Sequence, residues 1–270
     1  MNPKPQQRSQ VRLQAGRLFY FLKKQFYWAW HSRRLSIKTQ STLLPHLIFE
    51  HQTLLRRPLR DLDMQLQENK IVNLELAIRR LDNLVIEPGK TFSYWRQIGW
   101  PLRRKGYIDG MILQEGKVSR GVGGGLCQLS NLIYWMTLHT PLTVTERWRH
   151  SYDVFPDTNR TLPFGSGATC AYPNIDLQIW NSTVQRFQLH LYLTDTHLVG
   201  EWRTDEKLLV SYHVYEKEPR MQHEFWGGYT RHNIIMRDTI DLETKEVIKT
   251  ENITENHAIM MYTPFLEGSK

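Results

Sequence analysis

Two cysteines in 270 residues are too few for a disulfide framework, and they stand apart as Cys127 and Cys170. There is no Cys-x-x-Cys and no His-x-x-x-His, so the usual zinc spacings are missing. No apolar run approaches the roughly 20 residues that a membrane span needs. Lys23 and Lys24 interrupt the aromatic stretch "RLFYFLKKQFYWAWHSRR", and no small-residue cleavage site follows it, which argues against a signal peptide. The glycine cluster at 123–125 lacks the Gly-Lys-Ser/Thr ending of a phosphate loop and the spacing of a dinucleotide fingerprint. Repeats and low-complexity tracts are also absent. These gaps lead to the expectation of a cytoplasmic chain with reduced thiols, no metal and no cofactor.

The residues that are present describe an ordinary globular chain, 40% hydrophobic and 23% charged, with a high count of nine tryptophans. Acidic residues are missing from positions 1–40, which hold nine of the 35 Lys/Arg; the remainder carries 26 basic against 27 acidic residues. The net charge of +8 is therefore an N-terminal property. We read residues 1–45 as a basic, aromatic arm and 46–270 as one domain. The arm is either an amphipathic helix docked on the body or a helix lying on an anionic membrane, immersing aromatics and pairing lysines with phosphates. No basic face on the body points to nucleic acid.

Along the body, residues 43–67 read as broken helix stopping near Pro58. Ile71, Leu74, Ile78 and Leu81 recur at helical spacing, widened by Val72 and Leu76. Further extended segments are expected around "TFSYW", 106–113, "LTVTERWRHSYDVF", "ATCAYPNIDLQIWN", "RFQLHLYL" (Phe187, Leu189, Leu191 and Leu193 on one face), "EKLLVSYHVYEKE" and a hairpin at "TIDLETKEVIKTEN". Helices feeding a strand-rich, mostly antiparallel second half make an α+β fold.

"RGVGGGLCQLSNLIYWMTLH" (120–139) carries the chemistry. Leu126, Leu129, Leu132, Ile133 and Met136 form a helical stripe ended before Pro141, which places Cys127 in the first turn. Unpaired N–H groups and the helix dipole favour a thiolate there. Gly123, Gly124 and Gly125 permit close backbone approach to a ligand. The bland alternative is a small buried residue at a tight turn. A nucleophilic cysteine needs a base: His150 lies on the next expected strand, whereas His139 is about 18 Å away along the helix. Asp153, Asp157 and Asp176 are possible orienters, and Asp176 is the choice. A zinc site from Cys127, His150 and Cys170 has no support in the spacing. Trp95, Trp100, Trp135 and Trp148 suit a binding surface.

"GGGLCQLS" followed by "ERWRHSYDVF" resembles the VanW domain family. So do "EPGKTFSYWRQIG", "KGYIDGMILQEGKV", "GATCAYPNIDLQIWNST", "GGYTRHNIIMRDTID" and "ITENHAIMMYTP", in order over about residues 65–265. The resemblance implies a link to the cell wall and glycopeptide resistance, and L,D-transpeptidase- or amidase-like acyl transfer on a peptidoglycan precursor or stem peptide. It implies Cys127 as nucleophile and His150 as base. Gln128 and Ser130 fall on motif positions: Gln128 as an oxyanion donor, Ser130 as a bond back along the helix. A cytoplasmic version, possibly peripheral at the inner membrane face, would meet soluble or lipid-linked precursors. The alternative is a non-catalytic module holding a precursor or a resistance partner.

Overall fold

A computed structural model of the chain describes residues 9–56, 64–114, 116–154 and 161–263. Within them lie the helices α1 (Gln10–Trp30), α2 (Met64–Leu81), α3 (Tyr94–Ile98) and α4 (Cys127–Leu138). The strands before α4 are β1 (Lys38–Thr39), β2 (His46–Leu54), β3 (Leu84–Ile86), β4 (Thr91–Ser93), β5 (Asp109–Gln114) and β6 (Lys117–Val122). After it come β7 (Thr143–Glu146), β8 (Tyr152–Asp153), β9 (Gln178–Trp180), β10 (Phe187–Leu193), β11 (His197–Thr204), β12 (Val210–His223), β13 (Tyr229–Asp241) and β14 (Val247–Met260). The fold is α+β with a strand-rich, mostly antiparallel second half.

A five-stranded sheet, β1-β3-β10-β11-β2, forms the floor. Strand β10 buries Phe187, Leu189 and Leu191 as its alternation predicts. Segment 46–54, expected to be helical, is an edge strand paired with β11 from His197↔Leu54 to Thr204↔His46. Pairing decides the matter: Ile48, Phe49 and Thr53 suit a pleated, half-buried surface better than a short helix following Pro45. The expected stop at Pro58 lies outside the described residues. Helix α2 buries Leu74, Ala77, Ile78 and Leu81, while Val72 faces solvent and does not widen the stripe.

Helix α4 packs against β11 and β2 and is apolar nearly all round, as a core helix must be. Leu129, Leu132, Ile133 and Met136 are all buried, each contributing about 1.5–3 kcal/mol by leaving water. Gly200 on β11 admits this helix: a Cβ there would meet Met136 Cε at 2.7 Å. At the far end, His139 stacks on Phe49 with ring centroids 3.8 Å apart and planes 4° off parallel. Its Nδ1 meets the Tyr212 carbonyl at 3.2 Å, and its Nε2 is buried with no partner among the described residues.

The N-terminal arm is part of this architecture. Strand β1 pairs with β3, and α1 lies against the small β4-β9-β7 sheet. Lys24 Nζ sits 3.1 Å from Glu146 and 3.5 Å from Asp176, which is wholly buried. Tyr27 Oη donates to Gln178 and Gln25 Nε2 to Tyr172 Oη, while Trp28 is buried beneath the helix. The docked alternative for this helix is therefore observed for its inner face.

Two predictions follow from the buried groups. Burial lowers the His139 pKa to about 4, against about 6.5 in the unfolded chain. The unfolded state takes up the proton first, so stability present above pH 6.5 falls away as the pH drops and is fully lost below about 4. The loss should be on the order of 2–3 kcal/mol in urea titrations, and His139→Asn should flatten that slope. Lys24→Met strands the Asp176 carboxylate; we expect about 3 kcal/mol or more of destabilisation at pH 7, with Lys24→Met/Asp176→Asn recovering part of it.

Candidate functional site

Hairpin β5–β6 delivers the chain into the glycine cluster. Gly124 and Gly110 are stacked backbone to backbone, and a Cβ on either would collide with the other's main chain. Asn73, fully buried on α2, clasps this contact: its Nδ2 donates to Gly124 O at 2.9 Å and to Ile108 O at 3.0 Å, and its Oδ1 accepts from Ile108 N. Gly125, at φ +93°, presses on the Lys70 stem, where a side chain would clash. The close approach expected for a ligand is thus made at Gly124 by the protein's own backbone. Gly123 and Gly125 do border open space, and Gly124 does not.

That space is a cleft of about 2010 Å³. It exceeds the roughly 300–1,000 Å³ typical of small-ligand pockets and suits an extended ligand. Cys127 opens helix α4 on its wall. Tyr94 Oη, from the buried helix α3, donates to Leu126 O at 2.9 Å and fixes the turn. The N–H groups of Gly125, Leu126 and Cys127 have no acceptor among the described residues; the last two are orphans because a helix start has no preceding turn to bond them. Cys127 Sγ is not a preformed thiolate, contrary to expectation. It donates to the Cys170 carbonyl at 3.6 Å, and burial pushes its pKa up. Desolvation outweighs the helix dipole here. Cys170 is buried, its thiol also pushed up by burial, and both cysteines are free.

His150 lines the same cleft. It sits in irregular chain between β7 and β8 rather than on a strand, because pairing breaks off after Glu146. Burial and then the neighbouring Arg149 guanidinium lower its pKa, so the imidazole is neutral at pH 7. Among the described residues no hydrogen bond joins it to Cys127 or to a carboxylate. Asp176 is not brought to His150: its Oδ2 accepts from Ser93 Oγ at 2.6 Å, and its Oδ1 from Trp95 N and Leu177 N at 2.9 and 3.0 Å. Burial raises its pKa, opposed by Lys24 and these donors. It holds α3, and through Tyr94 the Leu126 carbonyl, two contacts from Cys127. Asp153 lines the cleft, accepts from Tyr262 Oη at 2.9 Å and lies 3.7 Å from Arg231; Asp157 falls outside the described residues.

Gln128 borders the cleft, but its Nε2 is taken by Thr53 Oγ1 and Leu54 O on β2, both at 2.9 Å. Ser130 is fully buried and donates to Ala168 O at 2.7 Å and back to Cys127 O at 3.2 Å. Trp95, Trp100 and Trp148 line the cleft; Trp135 instead packs in the core edge-on to His139. Two residues passed over in the sequence matter to this site. One is Asn73, whose signal was a poor helix former beside Leu74 in an apolar stripe. The other is Arg147, which stacks on Tyr134 and donates to Gly165 and Gly167 carbonyls, bracing the cleft wall.

The family described as VanW like protein matches residues 69–203, which hold the glycine cluster, Cys127 and His150. The chain is 34% identical over 219 residues to Vancomycin B-type resistance protein VanW of Enterococcus faecalis, spanning 81% of this chain and 79% of that one. It is 32% identical over 109 residues to the uncharacterized protein YoaR of Bacillus subtilis, 40% of this chain but only 34% of YoaR. No solved structure shows significant similarity to it. On the family match and the extent of the first relative, the chain belongs to the VanW-like protein family.

Proposed function

We propose that this protein is a cysteine acyltransferase acting on peptidoglycan-type stem peptides, in the setting of glycopeptide resistance that the name of its Enterococcus relative indicates. The observation that carries the reading is one cleft lined by both a cysteine and a histidine. Cys127 opens α4 beside three N–H groups that have no acceptor among the described residues, and a neutral imidazole, His150, borders the same space. The cleft's volume and its Trp95, Trp100 and Trp148 side chains suit an extended peptide carrying a sugar.

The chemistry follows from the charge states. A thiol held protonated needs a base when substrate arrives, and the neutral imidazole of His150 is the acceptor bordering the same cleft. It takes the Sγ proton as sulfur attacks the amide carbonyl. The C–N bond breaks, the imidazolium returns the proton to the leaving amine, and a thioester remains on Cys127. The N–H groups of 125–127 stabilise the oxyanion, a role that the engaged amide of Gln128 leaves to the backbone. A second amine, or water, then attacks the thioester; the C–S bond breaks and the thiol is restored. Asp176 acts as a positioning residue beneath α3 rather than as a partner of His150.

The raised thiol and the missing Cys127–His150 bond favour one rival, a non-catalytic module that only holds the precursor. Electrophile labelling separates the two. In the free protein, iodoacetamide should modify Cys127 more slowly at pH 7 than an unhindered thiol and accelerate beyond pH 9, with Cys170 protected. A stem-peptide electrophile should label Cys127 at least about 100-fold slower in His150→Ala, the usual scale of general-base catalysis. Binding of stem peptide by Cys127→Ala together with labelling indifferent to His150 would establish the holding module instead.

A further inference from the structure

We infer that the outer face of α1 seats the protein on an anionic lipid surface, with the mouth of the Cys127 cleft beside the lipid headgroups. The inner face of α1 is accounted for by Phe21, Lys24, Gln25 and Trp28 on the body. The opposite face is not. Val11, Leu18, Phe19, Leu22, Phe26 and Trp30 are 77, 59, 62, 55, 67 and 75% exposed. At about 100° per residue they fall in one arc of roughly 120°. Within the described residues nothing covers this arc.

Charge names the occupant. Arg12 and Lys23 lie along one edge of the arc, and Arg33 and Arg34 follow at its end in an exposed turn. No acidic residue occurs anywhere in positions 1–40. Aromatics and leucines on one side, with bordering cations and no anions, are the composition of a helix lying in a lipid interface. The cations match the anionic headgroups there. No helix among the described residues is long and apolar enough to cross a membrane, so α1 would lie on the surface.

The geometry then gives this a consequence for the cleft. Phe21 packs on Trp100 and Tyr172, with ring centroids 5.7 and 6.3 Å apart, and both partners line the cleft. Helix α1 thus separates lipid from cleft by about its own diameter, roughly 10 Å. Resting on the acyl-transfer reading, the substrate class sharpens to a stem peptide carried on a lipid.

The test uses the full chain and vesicles of phosphatidylcholine with or without 30% phosphatidylglycerol. Co-sedimentation with the anionic vesicles should exceed that with neutral ones and weaken in 0.5 M salt. Leu22→Glu/Phe26→Glu should cut it by about tenfold or more, with unchanged circular dichroism, since both side chains face solvent. Cys127→Ala should bind as the wild type does, so a failed acyl-transfer reading leaves this result standing. Equal binding by wild type and double variant overturns the proposal. So does indifference to anionic lipid, or a dimer split by the double variant in a protein that ignores vesicles. For the substrate, an electrophilic stem peptide tethered to vesicle lipid should label Cys127 at least about tenfold faster than the untethered form, an advantage lost in the double variant. Labelling by both forms at one rate would overturn the lipid-carried substrate.

Discussion

The carboxylate of Asp176 is the constraint on which much else rests. It is fully buried and held ionisable only by its surroundings: a lysine from one end of the chain, a serine hydroxyl and two backbone N–H groups. A buried charge is costly unless every lone pair is answered, so these four donors are locked as a set. Through Lys24 it fixes α1, and through Ser93 and Trp95 it fixes α3. Tyr94 then reaches the carbonyl just before Cys127. The arm, the aromatic wall and the nucleophile candidate are thereby positioned from one point.

The cleft is lined by both a thiol and an imidazole, Cys127 and His150. Burial moves Cys127 and His150 in opposite senses, favouring the neutral form of each. That pairing differs from a resting thiolate–imidazolium couple. In the acyl transfer proposed here, proton transfer between the two would create charge, to be offset as the substrate's oxyanion forms beside backbone N–H groups.

Periodic features were legible in the sequence. The alternation in 187–193, the helical stripe after Cys127 and the hairpin near 241–246 all appear where pattern placed them. Segment 46–54 was misread because its strand character comes from β11, about 150 residues away, and pairing of that kind leaves little local trace. Cys127 at a helix start was visible; its raised pKa was not, since burial is a tertiary quantity. Asp176 was visible as a residue of interest but not as a hub, because Lys24 and Ser93 meet it only in three dimensions. The glycines announced close approach without saying to what, and the answer at Gly124 is Gly110.

Strand β8 begins two residues after His150, and it pairs in parallel with β14 at Tyr152↔Ile259 and Asp153↔Met260. Asn256 on β14 also donates to Asn233, which in turn holds the Phe164 carbonyl on the cleft rim. The wall carrying His150 thus waits on a strand more than 90 residues further along, and contacts of such separation form late in folding. During synthesis the helix of Cys127 emerges well before that strand. A ribosome-bound chain would therefore present Cys127 before the wall carrying His150 is fixed, and the cleft would be completed as β14 docks.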